Sequence, residues 1–436
     1  GDGDGEDGGS TPTATPTPSG PSGTVQIGVL QPLSGDLQDY GQSSLWGFYS
    51  GLGHLAGTDP IAEVSTGTES VTIDDVTYEL IIRDTQLSAD QAQTLATDLV
   101  QSDGVDMLFG TTSSASAARV ATTVTKPASI PTLLGPAASA GITSDSETCS
   151  EFVFRASENT AMDARSGGTY VAQNTDISKV YLFGADYNFG HSVVANYRSV
   201  LEAEGIEIVG EKFAPRGYSE WEGLLDNAKE ADADGIVAGF TVATLPQMFT
   251  TYLTGDYDFR VFGGWATTIT NTVLGQTLQK VLGEPLTQEK LGQTKLGPFT
   301  TRYHWNQYDN EVNKQFVETH IDTYGSVPDL FAGGMFTSAS AIHQAVQESG
   351  STEGADIAEA LRGMTVSVTP KGEDAYTFQE YNGQARSPMT VSDPIPTTDE
   401  WADSWGAAIM PGEPAARIGK DSTTIPADSD QMNCSL

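Results

Sequence analysis

The sequence predicts an α/β protein with two lobes, each built on a parallel β-sheet with helices on both faces. Strand-like and helix-like segments alternate from residue 25 to about residue 274. Such alternation places successive strands parallel in one sheet. The strands come in two series, so we expect two sheets. The 436 residues of the chain are enough for two folding units of ordinary size.

The predicted elements follow one another in a regular order. Strands of the first lobe are predicted at residues 25–30, 78–83, 105–109 and 130–134, and strands of the second at 180–184, 206–213, 235–240 and 259–263. Helices are predicted to begin near Gly41, Ala89, Ala115, Ser192, Trp221 and Pro246, with two more at 312–324 and 336–348. Short strands at 366–368 and 375–379 precede a tail rich in proline and acids, which we expect on the surface.

The chain is strongly acidic, with 58 Asp and Glu residues against 21 Lys and Arg residues and a net charge of -37. Nucleic acid is excluded as a partner because phosphate binding needs basic patches. The acids are spread along the chain, and such a surface stays hydrated when concentrated salt screens its self-repulsion. We interpret this as adaptation to high salt, as in a halophilic archaeon. A disordered acidic chain is the alternative, but 38% hydrophobic residues argue against it.

Residues 1–23 are Gly, acids, Pro, Thr and Ser in the main and cannot build a core. We expect a stalk of a mature exported protein whose signal peptide was removed, and a lipid-modified cysteine before Gly1 would fit. An ordinary disordered terminus is the alternative. Later in the chain there is no apolar run of about 18 residues, the length that would span a membrane.

Two loops, residues 110–114 (GTTSS) and 135–139 (GPAAS), each follow a predicted strand of the first lobe. Both place hydroxyls and backbone N–H groups before a predicted helix, an arrangement that suits a carboxylate. Helix capping alone would also explain the Ser and Thr residues. Because ligands of open α/β sheets bind at the carboxyl ends of strands, the pair of loops favours a binding site.

Sequence patterns of catalysis are missing. Residues 190–194 (GHSVV) lack the final glycine of a nucleophile elbow, and there is neither a phosphate-binding loop nor a dinucleotide fingerprint. The five histidines show no metal-ligand spacing. The sequence therefore predicts a binding protein without metal or cofactor rather than an enzyme.

Several segments together resemble the branched-chain amino acid-binding family of type I periplasmic solute-binding proteins, which serve ABC importers. These segments are 31–35 with 40–41, 110–114, 135–143, 154–155 and 186–190. The similarity extends from residue 25 to about residue 379. It implies two Rossmann-like lobes joined by three crossover strands, with a ligand cleft between the lobes that closes by a hinge motion.

The resemblance also implies where each lobe begins and ends. Crossings would lie near Arg155, at residues 298–302 and near Val366, which gives lobe 1 as 24–154 plus 303–366 and lobe 2, with the tail, as 155–302 plus 367–436. The family further implies an extracellular monomer, anchored at the cell surface, that delivers a small polar solute to a membrane permease. An extracellular ligand-sensing domain of the same fold is the alternative.

The ligand-binding residues follow from the same resemblance. A ligand carboxylate would be held by Thr112, Ser113, Ala137 and Ser139 of the first lobe. The other contacts would come from Tyr40 in the first loop and from Asp186, Tyr187, Thr241 and Trp265 in the second lobe. Amino-acid binders of the family have an acid in the loop that corresponds to residues 263–267, where it pairs with the ligand ammonium. This chain has none there, so either Asp186 replaces it or the ligand is not an α-amino acid.

The two cysteines, Cys149 and Cys434, are compatible with one structural disulfide or with two separate buried thiols. Family members with a cysteine near the first crossover imply that the two are bonded and pin the tail across the hinge. Arg155, at that crossover, is expected to make structural ion pairs with the many acids of the chain.

The charge predicts a dependence on salt. In about 2–3 M salt, where self-repulsion is screened, the protein should unfold cooperatively with urea. After dialysis into dilute buffer it should lose its folded circular dichroism signal. A chain that stays fully folded in dilute buffer would contradict adaptation to high salt.

Overall fold

The computed structural model describes residues 11–13 and 20–436, so most of the predicted stalk lies outside the described residues. Six strands form the first sheet: β1 (Gly23–Gln31), β2 (Gly67–Ile73), β3 (Val76–Asp84), β4 (Met107–Gly110), β5 (Thr132–Leu134) and β6 (Val153–Phe154). Their order is β2-β3-β1-β4-β5-β6. All neighbours are parallel except β2, which pairs antiparallel with β3.

The second sheet begins with five strands: β7 (Lys179–Ala185), β8 (Glu207–Ala214), β9 (Gly235–Gly239), β10 (Arg260–Gly264) and β11 (Leu296–Thr301). The remaining strands are β12 (Thr365–Val366), β13 (Tyr376–Phe378), β14 (Ala385–Arg386), β15 (Met389–Ser392), β16 (Pro394–Pro396), β17 (Ile409–Pro411) and β18 (Ala416–Ile418). The second sheet has the order β18-β15-β11-β10-β9-β7-β8. The predicted class, α/β with two sheets of mostly parallel strands, is confirmed.

Helices cover both faces of the sheets. The first five in chain order are α1 (Gln38–Ala56), α2 (Ala89–Gln101), α3 (Ser114–Val120), α4 (Lys126–Ala128) and α5 (Gly141–Ser144). Those that follow are α6 (Thr160–Asp163), α7 (Thr169–Asn174), α8 (Asn188–Ala203), α9 (Trp221–Glu230), α10 (Leu245–Thr254), α11 (Thr268–Leu282), α12 (Gln288–Leu291), α13 (Glu311–Tyr324), α14 (Ala332–Ser349), α15 (Gly354–Leu361) and α16 (Ala402–Trp405). Single π-helical turns join α3 to α4 and α6 to α7.

Helices α1 and α14 pack closely because glycines of α1 face the backbone of α14. A Cβ atom on Gly47 would lie 2.6 Å from the carbonyl oxygen of Ala332, and one on Gly51 would lie 2.7 Å from that of Phe336. Real Cβ atoms do not approach so near, so larger residues here would push the helices apart. This contact brings α14, which is distant in sequence, onto the first lobe.

The third crossing lies later than the sequence predicts. Strands β12, β13 and β14 form a small antiparallel sheet, and Val366, Tyr376 and Phe378 are buried in the same core as β1 and β3. The chain returns to the second sheet at residues 387–388, after which β15 pairs with β11. Burial of those apolar side chains holds residues 365–386 on the first lobe, so we propose 24–154 plus 303–386 as its extent.

The tail contacts both lobes, whereas the sequence-based boundaries placed it with the second. Strand β18 extends the second sheet, but the last residues lie on the first lobe. The Asn433 N–H donates to the Ser144 carbonyl at 2.8 Å, and a disulfide joins Cys149 to Cys434. The predicted disulfide is confirmed, and it fixes the tail across the lobes.

Buried charges tie the crossover segments together. The Lys371 ammonium lies 2.9 Å from the Glu158 carboxylate, and both side chains are almost fully buried. The Arg155 side chain is also buried, but its bonds go to neutral acceptors, among them the carbonyls of Ala137 and Ser139 at 2.9 and 2.7 Å. The ion pairs expected for Arg155 are therefore absent from the described part of the chain. Burial lowers the pKa of its guanidinium to about 9.

Among the described residues, no helix combines the length and apolarity that a membrane span requires.

A buried histidine predicts how stability changes with pH. His304 lies edge-on to three tryptophans, and burial lowers its pKa to about 3. In the unfolded chain it would take up a proton near pH 6.5. The free energy of unfolding should therefore fall as the pH drops below that value, by up to about 1.4 kcal/mol per pH unit from this group.

Urea unfolding at constant salt between pH 7 and pH 5 checks this. A His304→Phe variant should have a flatter profile than the natural protein. Trp405→Phe, which repacks the same cluster without removing an ionisable group, serves as the control. Equal slopes for His304→Phe and the natural protein would contradict the assignment.

Candidate functional site

A cavity lies between the two lobes, where the loops that follow their strands face each other. From the first lobe it is lined by the start of α1 and the loops after β4 and β5, and from the second by the loops after β9 and β10. Five of the predicted ligand-binding residues line it, namely Tyr40, Thr112, Tyr187, Thr241 and Trp265. The position agrees with the expected location of ligands at the carboxyl ends of parallel strands.

Hydrogen bonds join the lobes around this cavity. The Val242 N–H of the second lobe donates to the Tyr40 hydroxyl at 2.9 Å. The N–H of Thr268, the first residue of α11, donates to the Asp329 carboxylate at 2.9 Å. Asp329 lies in the loop before α14, on the first lobe. These bonds exist only while the lobes are together, so the structure is a closed form.

Three of the residues predicted for a ligand carboxylate do not line the cavity. The Ala137 N–H donates to the Thr111 carbonyl at 3.0 Å, and the Ser139 N–H donates to the Ser114 hydroxyl at 3.1 Å. These groups hold the loops after β4 and β5 together instead of facing a ligand. Ser113 also lies outside the cavity wall. In this part of the cavity, the wall is formed by Thr112 and by three sequence neighbours of the predicted residues, namely Ser114, Pro136 and Ala138.

Asp186 lies on the protein surface. Its side chain is 65% exposed and contacts the His191 ring nitrogen Nε2 at 2.8 Å. Asp186 is not among the cavity-lining residues, so it is not placed to pair with a ligand ammonium.

Four polar side chains of the cavity wall have a buried atom with no hydrogen-bond partner in the described part of the protein. These atoms are the hydroxyls of Tyr197, Thr241 and Thr267 and the Trp265 Nε1–H. Buried polar atoms are nearly always paired in folded proteins. At the cavity wall, these atoms are free to bond to a solute.

The floor of the cavity holds an ion pair that the sequence did not single out. The Arg302 Nη2 donates to the Asp163 carboxylate at 2.6 Å, and its Nε contacts both carboxylate oxygens at 3.1 Å. The two side chains are only 12% and 5% exposed. Asp163 and Arg302 both lie close in sequence to predicted crossings, and this was the one signal that could have pointed to them. Their pairing could not be predicted because the two residues are 139 positions apart in sequence.

Aromatic rings form much of the remaining wall. Tyr40 packs against Phe331 with ring centroids 4.7 Å apart, and Trp265 lies edge-on to Phe299. Burial raises the pKa of Tyr187 to about 12, so its hydroxyl is neutral at ordinary pH. The cavity can therefore hold a small solute with apolar bulk and a few polar atoms.

In the described ranges no group of three or more His, Cys, Asp or Glu residues is arranged to hold a metal ion. The cavity combines hydrogen-bond donors, one ion pair and flat apolar walls. Such an arrangement can bind and orient a solute between two lobes.

Comparisons with known proteins agree with the fold. A sequence profile of the family described as periplasmic binding protein matches residues 24–394. No curated protein matches the chain. A branched-chain amino acid ABC transporter protein from Rhodopseudomonas palustris is 21% identical with a TM-score of 0.67, and the match covers 92% of this chain and 98% of the other.

Two further solved structures are similar. An amino acid ABC transporter substrate-binding protein from Pseudomonas fluorescens is 19% identical with a TM-score of 0.75, covering 95% of this chain and 100% of its own. A solute-binding protein from R. palustris in complex with benzoate is 17% identical with a TM-score of 0.71, with coverage of 95% and 100%. At these identities the structures support the fold. The profile covers most of the chain, which therefore belongs to the periplasmic binding protein family.

Proposed function

We propose that this protein is the extracellular solute-binding component of an ABC importer. It captures a small solute that bears a carboxylate or an amide, such as a branched-chain amino acid or a related compound, and delivers it to a membrane permease. Structures of similar fold include an amino acid transporter protein and a benzoate complex, which supports this class of ligand. We also propose a monomer from a high-salt organism, held at the cell surface by a lipid anchor.

One observation supports this function above the others: the cavity is lined from both lobes and lies beside the hydrogen bonds that close them. A ligand shifts the equilibrium between open and closed forms only as far as it binds one form better than the other. A solute that touches both lobes binds the closed form better. The permease can then recognise the loaded protein by its shape.

A thermal-shift screen in about 2–3 M salt, which keeps self-repulsion screened, tests the proposal. The solutes are leucine, isoleucine, valine, benzoate, 4-hydroxybenzoate, short organic acids and amides. A solute present at 100 times its dissociation constant stabilises the native state by about 2.7 kcal/mol and should raise the melting temperature by several degrees. No shift with any solute would contradict the proposal.

Two matched variants show whether the shift comes from the cavity. Tyr40→Phe removes the hydroxyl that accepts from Val242 across the lobes, so it should weaken solute binding about 3- to 10-fold. Tyr49→Phe removes a buried hydroxyl that has no partner among the described residues and lies in the first-lobe core. It should bind solute like the natural protein. Equal binding by all three proteins would place the solute elsewhere.

A further inference from the structure

We propose that Arg302 is the anion-binding residue of the cavity and that the solute is an aromatic monocarboxylate without an ammonium group. This inference rests on the proposed function, because it specifies which solute the same cavity takes. It follows from the free donors of Arg302, the position of the nearby acids and the aromatic walls.

Some N–H donors of the Arg302 guanidinium are not used by the described residues. A guanidinium carries five N–H donors in a planar fork, and Asp163 takes those of Nε and Nη2. Nη1 makes no hydrogen bond within the described part of the chain, and Arg302 lines the cavity. A carboxylate suits these remaining donors, because charge-assisted bonds to guanidinium are short and strong. Asp163 then acts as a positioning residue, since it fixes one edge of the guanidinium.

An ammonium group would lack a carboxylate of its own. Asp163 is the one acid among the cavity-lining residues of the described chain, and both of its oxygens already accept from Arg302. Asp329 and Asp186 do not line the cavity. The ammonium of an α-amino acid would therefore have to share Asp163 with the Arg302 guanidinium, whose positive charge opposes a second cation there.

The walls suit a flat ring. Tyr40, Tyr187, Trp265 and Phe331 line the cavity, and aromatic pairs in stacked or edge-on arrangements stabilise a bound ring. The Arg216 guanidinium lies over the Tyr187 ring, 4.9 Å from its centroid, which adds a second positive charge near the site. The unpartnered Trp265 Nε1–H and Thr241 hydroxyl can bond to a ring substituent.

Titration calorimetry with benzoate, benzamide and leucine tests the inference in about 2–3 M salt. Benzoate and benzamide share a shape and differ in charge. The natural protein should bind benzoate at least about 10-fold more tightly than benzamide, and leucine more weakly than benzoate. In the double variant Arg302→Gln/Asp163→Asn, benzoate affinity should fall about 10- to 100-fold and the preference over benzamide should disappear.

The control is Glu158→Gln/Lys371→Met, which removes another buried ion pair that does not line the cavity. It should keep the benzoate preference even if its melting temperature falls.

The variant Arg302→Lys retains the positive charge and replaces the first double variant if that variant does not fold. Its benzoate affinity should drop about 10-fold. Unchanged benzoate binding by the Arg302 variants, or tighter binding of leucine or benzamide by the natural protein, would overturn the inference and leave the proposed function intact. Failure to bind any solute in the wider screen would overturn both.

Discussion

The pair of Asp163 and Arg302 joins the first crossover to the second at the floor of the cavity. Taking two charges out of water costs several kcal/mol per ion. A three-contact arrangement between guanidinium and carboxylate offsets much of that cost. The pair therefore fixes the two crossovers to each other where the lobes meet and places a guanidinium and a carboxylate in the cavity wall. The pair of Glu158 and Lys371 fixes the neighbouring crossover in the same way.

At the cavity, two hydrogen bonds join the lobes. Tyr40 and Asp329 of the first lobe each accept one N–H from a loop or helix start of the second. Such bonds exchange readily with water, so these two bonds alone contribute little free energy to closure. A solute that fills the aromatic cavity and satisfies Thr241 and Trp265 supplies what is missing. Binding and closure are therefore expected to be coupled.

Much of the fold could be predicted from sequence because central parallel strands are buried on both faces. Strands such as β1 and β7 therefore appear as continuous apolar runs. Strand β2 was missed because it is an exposed antiparallel edge with mostly polar residues. The third crossing was placed too early because the burial of Tyr376 and Phe378 in the first core depends on contacts distant in sequence. The predicted loops after β4 and β5 reach the cavity wall, but the direction of Asp186 and the pairing of Arg302 depend on tertiary geometry.

Hydrogen–deuterium exchange at the amides of Val242 and Thr268 tests the central claim, closure of the lobes over a solute in this cavity. Both amides lie in the second lobe and find their acceptors, Tyr40 and Asp329, on the first. Saturating solute should slow exchange at both amides, while amides inside β9, which are bonded within their own sheet, change little. Solute binding that leaves exchange at Val242 and Thr268 unaltered would contradict closure over this cavity.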